Sequence, residues 1–331
     1  MAGPRRQGAA RISSVGASSV RRRIGVVPCL MRFNPKANIG GGRVKDVRGG
    51  GGGGGMGNIP IGGITGGGIG TTIVVIIIYV IVQFAGGGSG VSGGGPAETT
   101  DRYAQCQSGE DANNSADCAR QAVALSLEQY WEQTLPRQTN ATFQPTEIVT
   151  FTGGTSTGCG SASKDVGPFY CPTDQRIYLD TTFFEDVLEG QLGGQGGDFV
   201  EPYVIGHEYG HHIQNLMGTM GRVKTQTGPT SDSVRLELQA DCYAGMWTRG
   251  ATGTTDDTGV TIFESIDQAD IEEALDAAKS VGDDRIQQQG GGDVNKEQWT
   301  HGSSAERMKW FTTGYNAKTI KECDTFSASS L

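Results

Sequence analysis

The sequence lacks the signatures of several large enzyme classes. It has no P-loop for phosphates, no CxxC pair, and no dinucleotide-binding or nucleophile-elbow motif set between a strand and a helix. Histidine is also scarce, with four residues in a chain of 331. These absences argue against nucleotide-dependent chemistry, serine hydrolase chemistry and cysteine-bound zinc, so the histidines carry most of the remaining information about function.

Two of the four histidines belong to an HExxH motif. Residues 207–211 read His-Glu-Tyr-Gly-His, and on a helix His207 and His211 project from one face. That spacing lets two imidazoles bind one Zn²⁺, with Glu208 beside the metal as general base for its bound water. Gly210 inside the helix costs about 1 kcal/mol relative to Ala; close approach of another backbone would explain it, but the sequence does not show one. The motif predicts a zinc-dependent peptide hydrolase.

A catalytic zinc needs a third protein ligand. Gln214 and Met217 stand where a metzincin has glycine and histidine, which excludes that class. Downstream, Glu237 and Asp241 lie four residues apart in a helix-favouring segment and therefore on one face. This ExxxD pair is typical of gluzincins, the thermolysin-like class, in which Glu237 would complete a His₂Glu site. By the same resemblance, Asp241 would accept the second N–H of His207.

The fourth histidine, His301, precedes a predicted helix. As a donor near the zinc it would stabilise the oxyanion of a tetrahedral intermediate. The alternative is a structural histidine ahead of a helix that is N-capped by Ser303 or Ser304 and has Arg307 in solvent. Both interpretations stay open. His212 points to a different helix face from the ligands and is interpreted as a packing or solvated residue.

Four segments carry a resemblance to a known family. They are residues 170–184, 204–218, 236–245 and 300–305. Together they resemble the bacterial neutral zinc metallopeptidases, which are membrane-tethered, gluzincin-like proteins. The resemblance implies zinc ligands at His207, His211 and Glu237 and a catalytic Glu208. It also implies that Arg176–Asp180 is an edge strand that pairs with the extended backbone of a substrate.

Charge divides the chain into three parts. Residues 1–48 carry eleven basic side chains and one acid, and residues 49–97 carry no charge and are rich in glycine. The rest holds 16 of the 27 basic and 35 of the 36 acidic residues. This acidic balance argues against a nucleic-acid partner for the C-terminal part.

An intensely apolar stretch lies inside the uncharged part. Extended back through its isoleucines, it predicts a transmembrane helix at residues 59–85. Basic residues on its N-terminal side predict a single-pass membrane protein with a cytoplasmic N-terminus and an extracytoplasmic catalytic domain. A cleaved signal peptide and a buried strand are the alternatives; the missing Ala-x-Ala site and the glycine-rich flanks argue against them.

The predicted domain organisation has four parts. Residues 1–58 form a basic, glycine-rich, disordered cytoplasmic tail that either touches anionic lipid or stays solvated. The anchor follows and binds membrane lipid, and residues 86–97 form a flexible linker before the catalytic domain at 98–331. Residues 1–30 are interpreted as untranslated upstream sequence, because Met31 begins the stretch that resembles the family's usual N-terminus. The oligomeric state is not predicted.

Six of the seven cysteines lie after the apolar stretch, which suits an oxidising compartment. Close spacing predicts the disulfides Cys106–Cys118 and Cys159–Cys171, which leaves Cys242–Cys323 as the third pair. Free buried cysteines are the alternative.

The catalytic domain is predicted to have an α+β fold, with a small sheet packed against several helices. Strands are expected at 146–151 and 177–179, and helices at 116–134, 200–217, 231–249, 270–288 and 305–314. The predicted function is hydrolysis of peptide bonds in a peptide or protein, with Zn²⁺ as cofactor. The alternatives are a membrane-tethered zinc-binding or scaffolding protein without activity, and a hydrolase of a non-peptide amide.

Overall fold

The computed structural model describes residues 31–48, 102–163 and 166–331, which form an α+β fold of small sheets and several helices. The strands are β1 (Arg32–Phe33), β2 (Val44–Asp46), β3 (Glu147–Phe151), β4 (Gly154–Thr157), β5 (Gly160–Ser163), β6 (Phe169–Cys171), β7 (Arg176–Asp180) and β8 (Phe263–Ser265). The helices are α1 (Gly109–Asn114), α2 (Ala116–Gln138), α3 (Val200–Leu216), α4 (Asp232–Gly250), α5 (Gln268–Ser280), α6 (Asp283–Gln289) and α7 (Ser304–Asn316).

The largest sheet has the strand order β2-β3-β7-β6. The first three strands are parallel, and β6 runs antiparallel to β7. The expectation that Arg176–Asp180 is the edge strand is therefore wrong. A tight turn in which Gln175 adopts φ 58° folds β6 back onto β7 and covers its free side. The edge on that side of the sheet is β6, Phe169–Cys171.

Most helices begin and end close to their predicted positions, but the helix expected over residues 270–288 is two helices. The chain turns at Gly282, between α5 and α6, where its backbone adopts an extended conformation. A side chain at this position would meet the backbone nitrogen of Ser304 at 2.4 Å. The start of α7 therefore occupies the space that a continuous helix with a side chain at 282 would need.

Residues 31–48 are part of the fold, so the expectation of a disordered tail over residues 1–58 is wrong for this segment. Strand β1 pairs with β8, and β2 adds a parallel strand to β3. The strands bury the side chains of Phe33 and Asp46. The remainder of the predicted tail, the linker at 86–97 and the anchor at 59–85 lie outside the described residues.

The two ends of the segment 49–101 lie together. Arg48 and Arg102, which flank it, both form ion pairs with the buried carboxylate of Asp46. The fold is thus inconsistent with residues 31–48 lying across a membrane from residues 102–331. Among the described residues, no helix combines the length and the apolar character needed to cross a bilayer.

All three predicted disulfides are confirmed. Cys106–Cys118 and Cys159–Cys171 close short loops, and Cys242–Cys323 joins α4 to the C-terminal segment. The last bridge lies beside a very close contact between α4 and α7. A Cβ atom on Gly314 would stand 1.8 Å from the carbonyl oxygen of Cys242, and one on Gly245 would stand 2.1 Å from that of Phe311.

We expect Gly314→Ala to destabilise the protein, because the added methyl group forces α4 and α7 apart. Overpacking of this kind costs about 1–3 kcal/mol, which lowers the melting temperature of a domain of this size by several degrees. Gly221→Ala is the matched control, since no atom lies within 4 Å of the added carbon. Equal melting temperatures for the two variants, measured by circular dichroism, would contradict the close packing of these helices.

Candidate metal centre

Helix α3 carries the HExxH residues and is buried along almost its whole length. A helix that is apolar on most faces belongs in a protein core. Gly210 lies against α4, where a Cβ atom would stand 3.0 Å from both the Cα and the carbonyl oxygen of Ala240. The close approach of α4 explains this glycine, and it brings the ExxxD face of α4 against the two histidines.

His207, His211 and Glu237 come together in this contact. One ligand atom of each residue lies within 4.8 Å of those of the other two, and all three side chains are buried. The Nε2 atom of His207 is 3.2 Å from Glu237 Oε2, and that of His211 is 3.4 Å from Glu237 Oε1. Both imidazoles therefore present the same type of nitrogen to one carboxylate.

The donor set fits a zinc ion. Two imidazole nitrogens and one carboxylate oxygen are ligands that Zn²⁺ accepts, and three protein ligands leave a position for water or substrate. Glu237 Oε1 is buried, and its contact with His211 Nε2, at 3.4 Å, is too long and poorly aligned for a good hydrogen bond. Burial alone would raise the pKa of Glu237, but the charge of His211 and the hydrogen bonds to both histidines lower it well below its usual value. The cluster therefore favours a positive charge between these residues.

Asp241 lies behind His207 and orients its ring. Its Oδ1 atom is 2.8 Å from His207 Nδ1 and accepts a 2.6 Å hydrogen bond from the Tyr203 hydroxyl. Arg307 donates from Nε to Oδ2 at 2.8 Å and from Nη2 to Oδ1 at 2.9 Å. The Nε2 atom of His207 is thereby left to face Glu237.

The charges in this group reinforce one another. Burial alone would raise the pKa of Asp241, but the charges of Arg307 and His207 and their hydrogen bonds lower it to about 2. Burial alone would lower the pKa of His207, but Asp241 and Glu237 raise it to about 10. Asp241 thus stays ionised and supports positive charge on or beside the His207 ring.

Arg307 is the residue of this group whose predicted environment is wrong. It was expected in solvent, yet it is 3% exposed. The reason is its position on the buried stripe of α7, which also includes Ser304, Phe311 and Gly314. This spacing of three to four residues was visible in the sequence and could have placed Arg307 in the interior.

The second histidine of the motif has its own support. His211 Nδ1 is 2.8 Å from the side-chain oxygen of Gln214, one turn further along α3. The amide of Gln214 in turn donates to the carbonyl oxygen of Leu236 at 2.7 Å and to Gln239 at 3.2 Å. Gln214 therefore links both ligand helices, a role that no local pattern in the sequence indicates.

Glu208 points toward the edge strand β6. Burial raises the pKa of Glu208, while His207, His211 and a hydrogen bond from the backbone N–H of Tyr170 oppose the shift. The Tyr170 hydroxyl contacts His212 Nδ1 at 3.1 Å and accepts a hydrogen bond from the Asn215 amide at 3.0 Å. The edge strand β6 and helix α3 are thus joined at Glu208 and again, one to two turns further along the helix, at His212 and Asn215.

His212 is a packing residue. Its Nε2 atom is 2.7 Å from the carbonyl oxygen of Gln144, and its other nitrogen faces Tyr170. Burial lowers the pKa of His212 to about 4, so the ring is neutral near pH 7. It lies apart from the ligand cluster and helps to hold β6 on α3.

His301 is buried close enough to the ligand cluster for its charge to interact with Glu237. Its Nδ1 atom is 3.2 Å from Asp283 Oδ1 and 2.9 Å from the Thr300 hydroxyl. Burial alone would lower the pKa of His301, but the charge and hydrogen bond of Asp283 raise it. Nε2 makes no hydrogen bond with any of the described residues. The helix that follows is N-capped by Ser303, one of the two expected caps.

Comparison with known proteins identifies the family. Residues 31–326 match the model of the family described as "Putative neutral zinc metallopeptidase". Because this match spans most of the sequence, the chain belongs to that family.

The relatives include mycobacterial and enterobacterial proteins. The uncharacterized protein Rv2575 of Mycobacterium tuberculosis is 48% identical over 255 residues, which is 73% of this chain and 85% of that protein. The uncharacterized protein YpfJ of Escherichia coli K12 is 39% identical over 213 residues, which is 62% of this chain and 70% of that protein. No solved structure is significantly similar to this chain.

We expect Arg307→Met to destabilise the protein and weaken metal binding, because it leaves Asp241 as a buried anion without its main counter-charge. Breaking a buried ion pair on one side costs about 3–5 kcal/mol. Lys309→Met, an exposed cation on the same helix, is the control and should change stability by less than about 0.5 kcal/mol. Urea unfolding and zinc content together check this. Unchanged values for Arg307→Met would show that Asp241 does not depend on Arg307.

Proposed function

We propose that the protein is a zinc-dependent metallopeptidase of the gluzincin type. The observation that carries the proposal is the buried cluster of His207, His211 and Glu237 with the Glu208 carboxylate beside it. When bound by three such ligands, zinc polarises a carbonyl oxygen and lowers the pKa of water to about 7. A purely structural zinc site has no use for a neighbouring carboxylate that is not a ligand, so Glu208 favours catalysis over a scaffolding role.

Glu208 acts as the general base. Its carboxylate takes a proton from the attacking water and delivers it to the nitrogen of the leaving amine. The backbone N–H of Tyr170 holds this carboxylate toward β6. Because the helix and the edge strand are also tied through the Tyr170 hydroxyl, Glu208 is placed by packing and does not depend on the substrate for its position.

His301 stabilises the developing oxyanion. Its Nδ1 atom is fixed by Asp283 and Thr300, and Nε2 is left to donate a hydrogen bond to the substrate. Asp283 also accepts hydrogen bonds from the backbone N–H groups of Thr300, His301 and Gly302, at 2.7, 2.7 and 3.0 Å. One carboxylate thus sets both the backbone and the ring orientation of His301.

The substrate is a peptide or protein whose backbone adds to β6. Among the described strands, β6 has one unpaired edge, and the backbone of its central residue, Tyr170, faces the proposed base. An extended peptide that pairs with this edge by main-chain hydrogen bonds would pass Glu208 with its peptide groups in a regular orientation. This assigns to β6 the role first expected of Arg176–Asp180.

We place the catalytic domain in an oxidising, extracytoplasmic compartment. Three disulfides join residues of the described fold, and such bridges are rare in the reducing cytosol. Residues 31–48 share this compartment because they form part of the same sheets. The predicted single-pass orientation would place residues 31–48 and 102–331 on opposite sides of a membrane, and these shared sheets argue against it.

We expect Glu208→Gln to bind zinc like the wild type and to lose about 10²–10⁴-fold in kcat/KM against a peptide library, because only proton transfer is removed. The control is Glu272→Gln, an exposed carboxylate on α5 that should leave activity unchanged. Full activity in Glu208→Gln with normal zinc content would refute the assigned base. A zinc-loaded wild type that cleaves no peptide would favour a scaffold or a non-peptide amide substrate.

A further inference from the structure

A second group of carboxylates lies at the N-terminal end of α3, separate from the ligand cluster. It consists of Asp198, two residues before the helix, and of Asp270 and Glu273 at the start of α5. One carboxylate oxygen of each lies within 4.8 Å of those of the other two. We call these three residues the acidic pocket.

The acidic pocket has no cationic partner among the described side chains. Asp270 is only 1% exposed, and its Oδ1 atom and that of Asp198 are buried without a hydrogen bond to any described residue. Burial and the neighbouring carboxylates raise the pKa of Asp198 to about 7, and burial is also the main reason that the pKa of Asp270 rises to about 6. Buried carboxylates that lack a counter-charge are unfavourable, so the pocket calls for a cation.

The backbone nitrogen of Met31 faces this pocket. Its N–H lies close enough to the carboxylates of Asp198 and Asp270 to lower the pKa of each. The Met31 side chain is buried in the core, and the next residue, Arg32, begins β1 and pairs with Ser265. The buried side chain and the pairing of the next residue therefore both fix the position of this nitrogen. Residue 31 is also where the match to the family model begins.

We propose that the acidic pocket binds the α-ammonium group of a chain that begins at Met31, and that residues 1–30 are absent from the mature protein. The backbone N–H groups of Asp267 and Phe199 already donate to Asp270 and Glu273, at 2.6 and 2.8 Å, but they carry no net charge. An ammonium group would add three protons and a full positive charge. The pairing joins the start of β1 to the first turns of α3 and α5. It thereby fixes the N-terminal end of the helix that carries the metal ligands.

A divalent cation such as Ca²⁺ is the rival occupant, because three carboxylates are suitable oxygen ligands. The Met31 N–H argues against it, since the positive end of this dipole points at the same carboxylate oxygens. If Met31 is the first residue, its nitrogen is a charged ammonium group and neutralises these carboxylates itself. The proposal does not depend on the peptidase activity of the metal centre.

The first test is the intact mass of the protein purified from its native host. We expect an N-terminus at Met31. A native protein that begins upstream of Met31, or that begins after it, would overturn the proposal.

The second test compares three chains: the full 331 residues, the chain that begins at Met31, and the same chain with one glycine added before Met31. We expect the Met31 chain to melt at least about 3 °C above the other two, because only its ammonium group lies in the pocket. Asp270→Asn should abolish this difference, and Asp198→Asn serves if the first variant does not fold. Glu272→Gln, an exposed acid on the same helix, should preserve it.

Equal melting temperatures for the three wild-type chains would overturn the proposal. The effect of millimolar Ca²⁺ on the melting temperature is the remaining measurement. If it stabilises the zinc-loaded wild-type chains and fails to stabilise Asp270→Asn, the pocket is a divalent cation site and the ammonium assignment is wrong. No response to Ca²⁺, together with the advantage of the Met31 chain, supports the ammonium.

Discussion

The buried carboxylate of Asp241 is the interaction on which the metal centre depends. It receives hydrogen bonds from Tyr203 and Arg307 and faces the Nδ1 atom of His207. These partners come from α3 and α7, while Asp241 itself lies on α4, so one side chain joins the three central helices. A buried carboxylate is tolerable only with such compensation. The same contacts that satisfy its charge also fix the ring that presents Nε2 to Glu237.

Close helix packing makes this arrangement geometrically feasible. Gly210 lets α4 approach α3, and Gly245 and Gly314 let α7 approach α4 until backbone nearly touches backbone. Larger residues at these positions would move Glu237 away from the histidines and Arg307 away from Asp241. The disulfide Cys242–Cys323 adds a covalent restraint beside this contact. Stability and the geometry of the metal centre therefore draw on the same few contacts.

Local patterns in the sequence predicted the parts of the structure that depend on local spacing. HExxH and ExxxD placed four side chains on two helix faces, and cysteine spacing gave the disulfides. Strand order is a long-range property, so the pairing of β6 outside β7 could not be deduced from either strand alone. Residues 31–48 were misjudged because their basic and glycine-rich composition hid two short strands whose partners lie far along the chain. Arg307 was missed because a charged residue was assumed to be solvated despite its position on an apolar stripe.

The most direct test of the central claim is the zinc content of the full-length protein, measured by mass spectrometry for wild type, Glu237→Ala and the exposed-site control Glu272→Ala. The account predicts about one equivalent of zinc in the wild type and in the control, and a large loss in Glu237→Ala, because three protein ligands define such a site. A wild type that binds no zinc after reconstitution, or a Glu237→Ala variant that keeps its zinc, would contradict the account.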